Sequence, residues 1–227
     1  MNSYIMAAGL ATRLRPVTND VPKCLLPILG IPILDYWLDA VVNSFSFSKI
    51  YVNVHHCAQK VRDRIGLYNS RHKADVRIIG EESRLLGTAG TLFWHRDIGE
   101  DFMVAYADTF SSGFFLDLAD IAKFWANCPD KPLASLVTFD LSDDRSSSAL
   151  EIDKFGTITK FSEKSSDGIA AWAGIAFCRG DFYEYIRRED VDLARDVFPR
   201  LLGRMKFLKH IEAYDIGRSA AKYESVK

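Results

Sequence analysis

The sequence predicts an α/β fold, a mostly parallel β-sheet flanked by helices, on three observations. Short apolar runs alternate with helical periodicity through the first 140 residues, the pattern of βαβα units. The run Phe102–Ala107 is almost wholly apolar, as a strand buried on both faces requires. Beyond residue 140 the pattern changes to short extended pieces, which predicts a small β-rich lobe added to the sheet.

Taken in order, Tyr4–Ala8 reads as a strand ending at Gly9. Pro32 opens a helix whose apolar face is Leu34, Leu38, Val41, Val42 and Phe45. Ile50–Val54 is a strand, and Cys57, Val61, Ile65 and Tyr68 mark the next helix. Val76–Ile79 is a third strand, followed by a helix from about Thr88 to His95. After Phe102–Ala107, the residues Leu118, Ile121, Phe124 and Trp125 give a helix, and Ala134–Phe139 a strand. Asp140–Ser148 is a polar loop. Extended pieces fall near Leu150–Ile152, Thr157–Phe161 and Ala171–Phe177, helices near Phe182–Arg188 and Leu193–Leu202, and a strand near Phe207–Tyr214. Right-handed crossovers bring strand C-termini to one edge, where a ligand crevice forms.

The 227 residues carry 29 Lys+Arg and 30 Asp+Glu, a net charge of 29 − 30 = −1. That balance argues against a nucleic-acid partner, which needs a basic excess. Hydrophobic residues at 48% and charged residues at 26% exclude a disordered chain. A chain this long buries roughly 70% of its unfolded surface, so one domain without staples is expected. Cys24, Cys57, Cys128 and Cys178 form no C-x-x-C pair, against zinc ribbons and dithiol redox centres. The apolar run Tyr4–Leu10 is too short for a signal peptide or a membrane span. A cytoplasmic location and no membrane partner are expected.

The first strand leads into Ala7-Ala8-Gly9-Leu10-Ala11-Thr12-Arg13-Leu14-Arg15-Pro16, with Val21-Pro22-Lys23 further on. A small-residue turn lets backbone N–H groups approach phosphate oxygens, and Arg13, Arg15 and Lys23 add cations suited to a triphosphate. Neither a Walker A loop nor G-x-G-x-x-G is present. The string resembles the signature G-x-G-T-R-L-x-P-x-T…P-K of the sugar-phosphate nucleotidyltransferases, or NDP-sugar pyrophosphorylases. Gly9, Thr12, Arg13, Leu14, Pro16, Thr18, Pro22 and Lys23 match, and Ala11 replaces the second glycine. A methyl group fits there if φ is below zero.

The resemblance runs from Met6 to Tyr223. Glu81-Glu82-Ser83-Arg84-Leu85-Leu86-Gly87-Thr88-Ala89-Gly90 resembles the family's LGTAG segment with its acidic lead-in. It implies that Gly87 and Thr88 lie by the nucleotide and that Glu82 reads the base. A carboxylate accepts from the two N–H donors of guanine, so guanine ranks first. Val104-Ala105-Tyr106-Ala107-Asp108 resembles the NGD strand end, and Tyr214-Asp215-Ile216-Gly217 the D-I-G-T stretch. The resemblance implies that Asp108 and Asp215, 107 positions apart, hold Mg²⁺. Phe161-Ser162-Glu163-Lys164 resembles F-x-E-K-P, which implies Glu163 on sugar hydroxyls and Lys164 on the sugar phosphate. Trp172-Ala173-Gly174-Ile175 resembles N-A-G-I-Y, which implies a sugar-binding strand. Trp172, where asparagine is frequent, either stacks on a sugar face or belongs to the core.

These matches imply a Rossmann-like single nucleotidyltransferase domain over residues 1–227. Residues up to about 140 would bind the nucleotide, through Ala8, Gly9, Leu10, Thr12, Glu82, Gly87 and Thr88. Residues from about 141 would bind the sugar and supply the second metal ligand. No C-terminal β-helix is expected. Length and motifs are closest to the heptose-1-phosphate and mannose-1-phosphate guanylyltransferases. The implied reaction joins an NTP to a sugar 1-phosphate and releases pyrophosphate, with Arg13, Lys23 and Lys164 as the catalytic cations. A sugar phosphate is already an anionic nucleophile, so no catalytic histidine is required. His55 and His56 are assigned to structure or crevice lining. The alternatives are a CTP-, UTP- or ATP-dependent member of the class, or a non-catalytic nucleotide-sugar-binding paralogue. A homo-oligomer remains an option.

Overall fold

The computed structural model describes residues 1–81, 83–97, 99–141 and 147–215. Along the chain run β1 (Asn2–Met6), β2 (Pro27–Ile28), β3 (Ile31–Pro32), α1 (Ile33–Asn43), β4 (Lys49–Val54), α2 (Ala58–His72) and β5 (Val76–Gly80). Then come α3 (Gly87–Trp94), β6 (Phe102–Tyr106), β7 (Thr109–Phe110), α4 (Ser112–Asn127), β8 (Ala134–Phe139) and β9 (Ala149–Ile152). The described chain closes with β10 (Ile158–Ser162), β11 (Ala170–Cys178), β12 (Met205–His210) and β13 (Tyr214–Asp215). The fold is α/β.

The structure divides into two compact units, interleaved along the chain rather than cut near residue 140. The described residues of the first fall in Met1–Leu85, Ala105–Ala126 and Tyr214–Asp215, and those of the second in Leu86–Val104 and Asn127–Ala213. In the first unit β4 pairs in parallel with both β1 and β5, with Tyr4 opposite Tyr51 and Asn53 opposite Ile79. Every residue of β1 is buried, so the parallel arrangement follows from strands that bury both faces.

Helix α1 follows Pro32 and buries Ile33, Leu34, Trp37, Leu38 and Val41 at helical spacing. Fully burying side chains of this size stabilises the fold by about 2 kcal/mol each. Arg64 on α2 donates from Nε to Asp35 on α1 over 2.8 Å, and the Tyr68 hydroxyl donates to Asp39 over 2.7 Å. The Trp37 indole N–H donates to the Thr109 carbonyl over 3.0 Å. Two sequence expectations shift here. Phe45 is 92% exposed at φ 52, beyond the end of α1, because the chain turns left-handed after Ser44, whose hydroxyl donates to the Val41 carbonyl. The buried face of α4 is Phe114, Leu118, Ala122 and Trp125. Phe114, 6.0 Å from Trp37, sets that phase and leaves Phe124 exposed.

In the second unit β8 pairs in parallel with β12 and antiparallel with β11, while β9 pairs antiparallel with β10 and β11. This is the expected β-rich region. Its core is aromatic: Phe102 stacks on Tyr183 at 4.5 Å, and Phe198 meets Phe161 at 5.3 Å. The two helices expected late in the chain are shorter pieces. Gly180–Tyr185 is a 3-10 helix, Leu193–Val197 a π-type turn, and Phe198–Arg200 a 3-10 turn. Pro199 supplies no N–H and disfavours a continuous α-helix there. The strand expected over Phe207–Tyr214 is instead two, β12 and β13.

Candidate functional site

Strands β1, β4 and β5 end side by side at Met6, Val54 and Gly80, because parallel strands place their C-termini on one edge. The first strand stops at Met6, two residues before the sequence expectation. The reason is Asn53, whose Oδ1 accepts from the backbone N–H of Ala7 over 2.6 Å and of Ala8 over 3.2 Å. Ala8 therefore spends its N–H inside the protein.

The donors beyond it behave differently. Among the described residues, the backbone N–H groups of Gly9, Leu10, Ala11, Thr12 and Arg13 have no protein acceptor. A Cβ built on Gly9 would meet nothing within 4 Å. The loop is held from below: Leu14 is buried, and the buried Thr18 hydroxyl donates to the Ala11 carbonyl over 2.8 Å. Ala11 has φ 49, so the condition of a negative φ, under which a methyl group fits without strain, is not met. An L-residue pays a strain of about 1–2 kcal/mol in that region. Arg13 and Arg15 are exposed and, among the described residues, form no ion pair. Exposed guanidinium groups beside a run of open N–H donors suit an anion.

Lys23 begins a 3-10 turn after Pro22, and its ammonium pairs with Asp108 Oδ2. Asp108 follows β6, and the Ala107 N–H donates to the Met6 carbonyl over 3.1 Å, which holds Asp108 beside the end of β1. Ala7, Gly9, Lys23, Ala107 and Asp108 line a recess of about 40 Å³, enough for a water or a small ion but not a nucleotide. Cys24 also lines the recess, and burial pushes its thiol up to about 12, so this cysteine stays protonated. Asp215 lies opposite Thr109 in the antiparallel β13–β7 pair. Backbone register thus brings Asp215 within one residue of Asp108 across 107 positions of sequence.

The adjacent histidines both meet backbone carbonyls. His55 Nδ1 donates to the Glu81 carbonyl over 2.7 Å, and His56 Nε2 to the Thr18 carbonyl over 2.8 Å. A carbonyl only accepts, which fixes the tautomer each ring needs.

In the second unit, Gly87 has φ 76, and a Cβ there would lie 2.3 Å from the Val191 carbonyl oxygen. A close approach of the protein's own backbone accounts for this glycine. The Thr88 hydroxyl accepts from the Leu193 N–H over 3.0 Å and lies 3.3 Å from Asp192 Oδ2. Glu163 and Lys164 pair at 3.5 Å on the surface. Gly174 has φ 75 where the β11–β8 register shifts, so bulge geometry accounts for it. The stacking role for Trp172 is corrected. Its side chain is buried, its indole N–H donates to the Ile175 carbonyl over 2.9 Å, and Phe198 covers the ring at 5.0 Å. Glu82 lies outside the described residues.

Sequence reasoning did not single out Asn53. An amide in the buried run Ile50–Val54 was the available signal, since buried polar groups find partners.

An α/β sheet with open backbone donors at its strand ends and, among the described residues, arginines without an ion pair beside them suits an anionic ligand. The Nucleotidyl transferase family profile matches residues 2–191, and the chain belongs to that family. It is 30% identical over 207 residues to a provisionally described mannose-1-phosphate guanyltransferase of Sulfolobus acidocaldarius, covering 89% of this chain and 54% of that protein. It is 29% identical over 224 residues to the UTP–glucose-1-phosphate uridylyltransferase of Synechocystis, covering 89% and 55%. The chain thus spans about half the length of these curated relatives. The crystal structure of HddC from Yersinia pseudotuberculosis superposes with a TM-score of 0.75 at 23% identity, covering 99% of this chain and 97% of that one. Among the described residues no helix is long and apolar enough to cross a membrane.

The family implies a magnesium ion, and Asp108 offers a carboxylate oxygen of the kind such an ion takes. No group of three or more potential ligands exists among the described residues. Mg²⁺ commonly takes one or two carboxylates and completes its shell with water and substrate phosphate. Asp108 already carries a cation, the Lys23 ammonium, on Oδ2. Asp108 and Asp215 are the residues that would hold the metal.

Proposed function

We propose that this chain transfers a nucleotidyl group from an NTP to a sugar 1-phosphate, releasing pyrophosphate. The observation that carries the reading is the loop Gly9–Arg13, whose five backbone N–H groups have no acceptor among the described residues, beside the Lys23–Asp108 pair. Nothing in this reaction requires a general base, because the sugar phosphate attacks as an anion. The barrier is the approach of two anions, so positioning and charge neutralisation dominate.

The loop N–H groups and Arg13 would take the triphosphate, Arg13 stabilising the departing pyrophosphate. Lys23 would neutralise the phosphate at the reacting centre once it leaves Asp108. Magnesium on Asp108 and Asp215 would supply further charge neutralisation. On the second unit, Glu163 is proposed for sugar hydroxyls and Lys164 for the sugar phosphate. GTP is the proposed nucleotide, on the hydrogen-bonding capacity of Glu82, and a hexose or heptose 1-phosphate the partner. Relatives described for guanyl and uridylyl transfer make the base the part most open to test.

Pyrophosphate release, measured with Mg²⁺ across the NTPs and a panel of hexose and heptose 1-phosphates, tests the whole reading. GTP should give the highest kcat/KM. A faster reaction with another base would overturn the guanine assignment alone. Nucleotide binding without turnover on any pair would favour the non-catalytic paralogue.

A further inference from the structure

The side chain of Asn53 stands at the centre of three strands. In register it lies between Met6 of β1 and Ile79 of β5, so one amide reaches the loops following both neighbours. Its Oδ1 accepts from Ala7 and Ala8, and its Nδ2 donates to Glu81 Oε1 over 2.9 Å. Asn53 is 4% exposed and Glu81 2%. The amide orientation is determined chemically, because backbone N–H groups only donate and a carboxylate only accepts. Glu81 is itself pinned: its N–H donates to the Val54 carbonyl over 2.9 Å, and its carbonyl accepts from His55.

We propose that Asn53 and Glu81 form a positioning pair that sets the phosphate loop from below. Asn53 consumes the first two N–H groups after β1, turns the chain out of the ladder, and leaves the N–H groups from Gly9 onward open to the triphosphate. Glu81 prevents the amide from flipping, since the flipped amide would face its carboxylate with an oxygen and the two N–H groups with an NH₂. Neither residue touches substrate. The inference rests on the proposed NTP reading for its consequence, and on the hydrogen bonds alone for its existence.

The pair can be inverted chemically. In Asn53→Asp, two carboxylates face each other in a buried site where both cannot remain ionised without cost. In Asn53→Asp/Glu81→Gln, the new aspartate accepts from Ala7 and Ala8 while the new glutamine donates to it. Assayed near pH 8, Asn53→Asp should raise KM for the NTP by roughly tenfold, the scale of a broken buried hydrogen bond. The double variant should return to within about threefold of the parent. Asn53→Leu, which offers no acceptor, should resemble or exceed the single aspartate variant. Tyr68→Phe, which loses a hydrogen bond far from the loop, controls for lost stability. It should lower Tm and leave KM unchanged.

Amide hydrogen exchange of the substrate-free protein separates the pair from the reaction. Ala7 and Ala8 should exchange slowly in the parent and double variant, and faster in Asn53→Leu. Fast exchange at both in the parent overturns the pair whatever the substrate. Slow exchange with no turnover on any NTP overturns the nucleotidyl reading instead. Parent-like KM in Asn53→Leu, or no recovery in the double variant, overturns the positioning role.

Discussion

Two segments carry family motifs built on glycine, and they use it in opposite directions. At the loop after β1 the glycine faces outward: a Cβ on Gly9 would meet nothing within 4 Å, and the neighbouring Arg13 and Arg15 are exposed. From Gly87 to Thr91 the chain faces inward. Gly87 yields to the Val191 backbone, Thr88 holds Leu193 and Asp192, and the Thr91 hydroxyl donates to the Gly87 carbonyl over 2.8 Å. A glycine motif therefore does not by itself announce a ligand. The difference lies in whether the protein or the solvent occupies the space a side chain would take.

The largest effect should come from the outward side. Asp108→Asn should lower kcat by about 10²–10³, as losing a preorganised charge does, with little change in Tm. Full turnover in this variant would remove Asp108 from the mechanism. The glycines offer a direct contrast. Gly87→Ala should cost about 3 kcal/mol or more in urea unfolding, because left-handed strain adds to a clash with backbone that cannot retreat. Gly9→Ala should leave the midpoint unchanged and weaken NTP binding. Equal midpoints for the two would erase the distinction.

Arg13→Ala should lose about 2 kcal/mol of transition-state stabilisation, roughly thirtyfold in kcat/KM, without altering unfolding. Thr88→Val should do the reverse. It strands the Leu193 N–H at about 1–2 kcal/mol and should leave nucleotide KM intact; a raised KM would return Thr88 to the nucleotide site. Smallest is Ala11→Gly. Relief of left-handed strain outweighs the added freedom of the unfolded chain, so a gain of about 0.5–1 kcal/mol is expected by chemical denaturation. A loss would mean that the Ala11 methyl group packs usefully.

The strand Phe102–Tyr106 was legible because burial on both faces writes a continuous apolar run. So was the Asp108 strand end, through its motif. Helix ends were less so, since Ser44 and a left-handed Phe45 stop α1 without glycine or proline. Two-residue strands such as β7 and β13 carry no periodicity. Trp172 looked equally suited to a sugar and a core; packing against Phe198, a distant residue in sequence, decided it. Asn53 was visible only as an amide out of place. Its meaning needed the loops after both neighbouring strands.

The buried Cys24 follows Lys23 directly and lines the same recess. Of the four cysteines, Cys24 and Cys178 are buried while Cys57 and Cys128 are partly accessible. A thiol reagent should consume the latter two quickly and reach Cys24 only when the Lys23 turn opens. Its slow labelling phase is therefore a built-in clock for excursions of that turn, readable before any substrate has been identified.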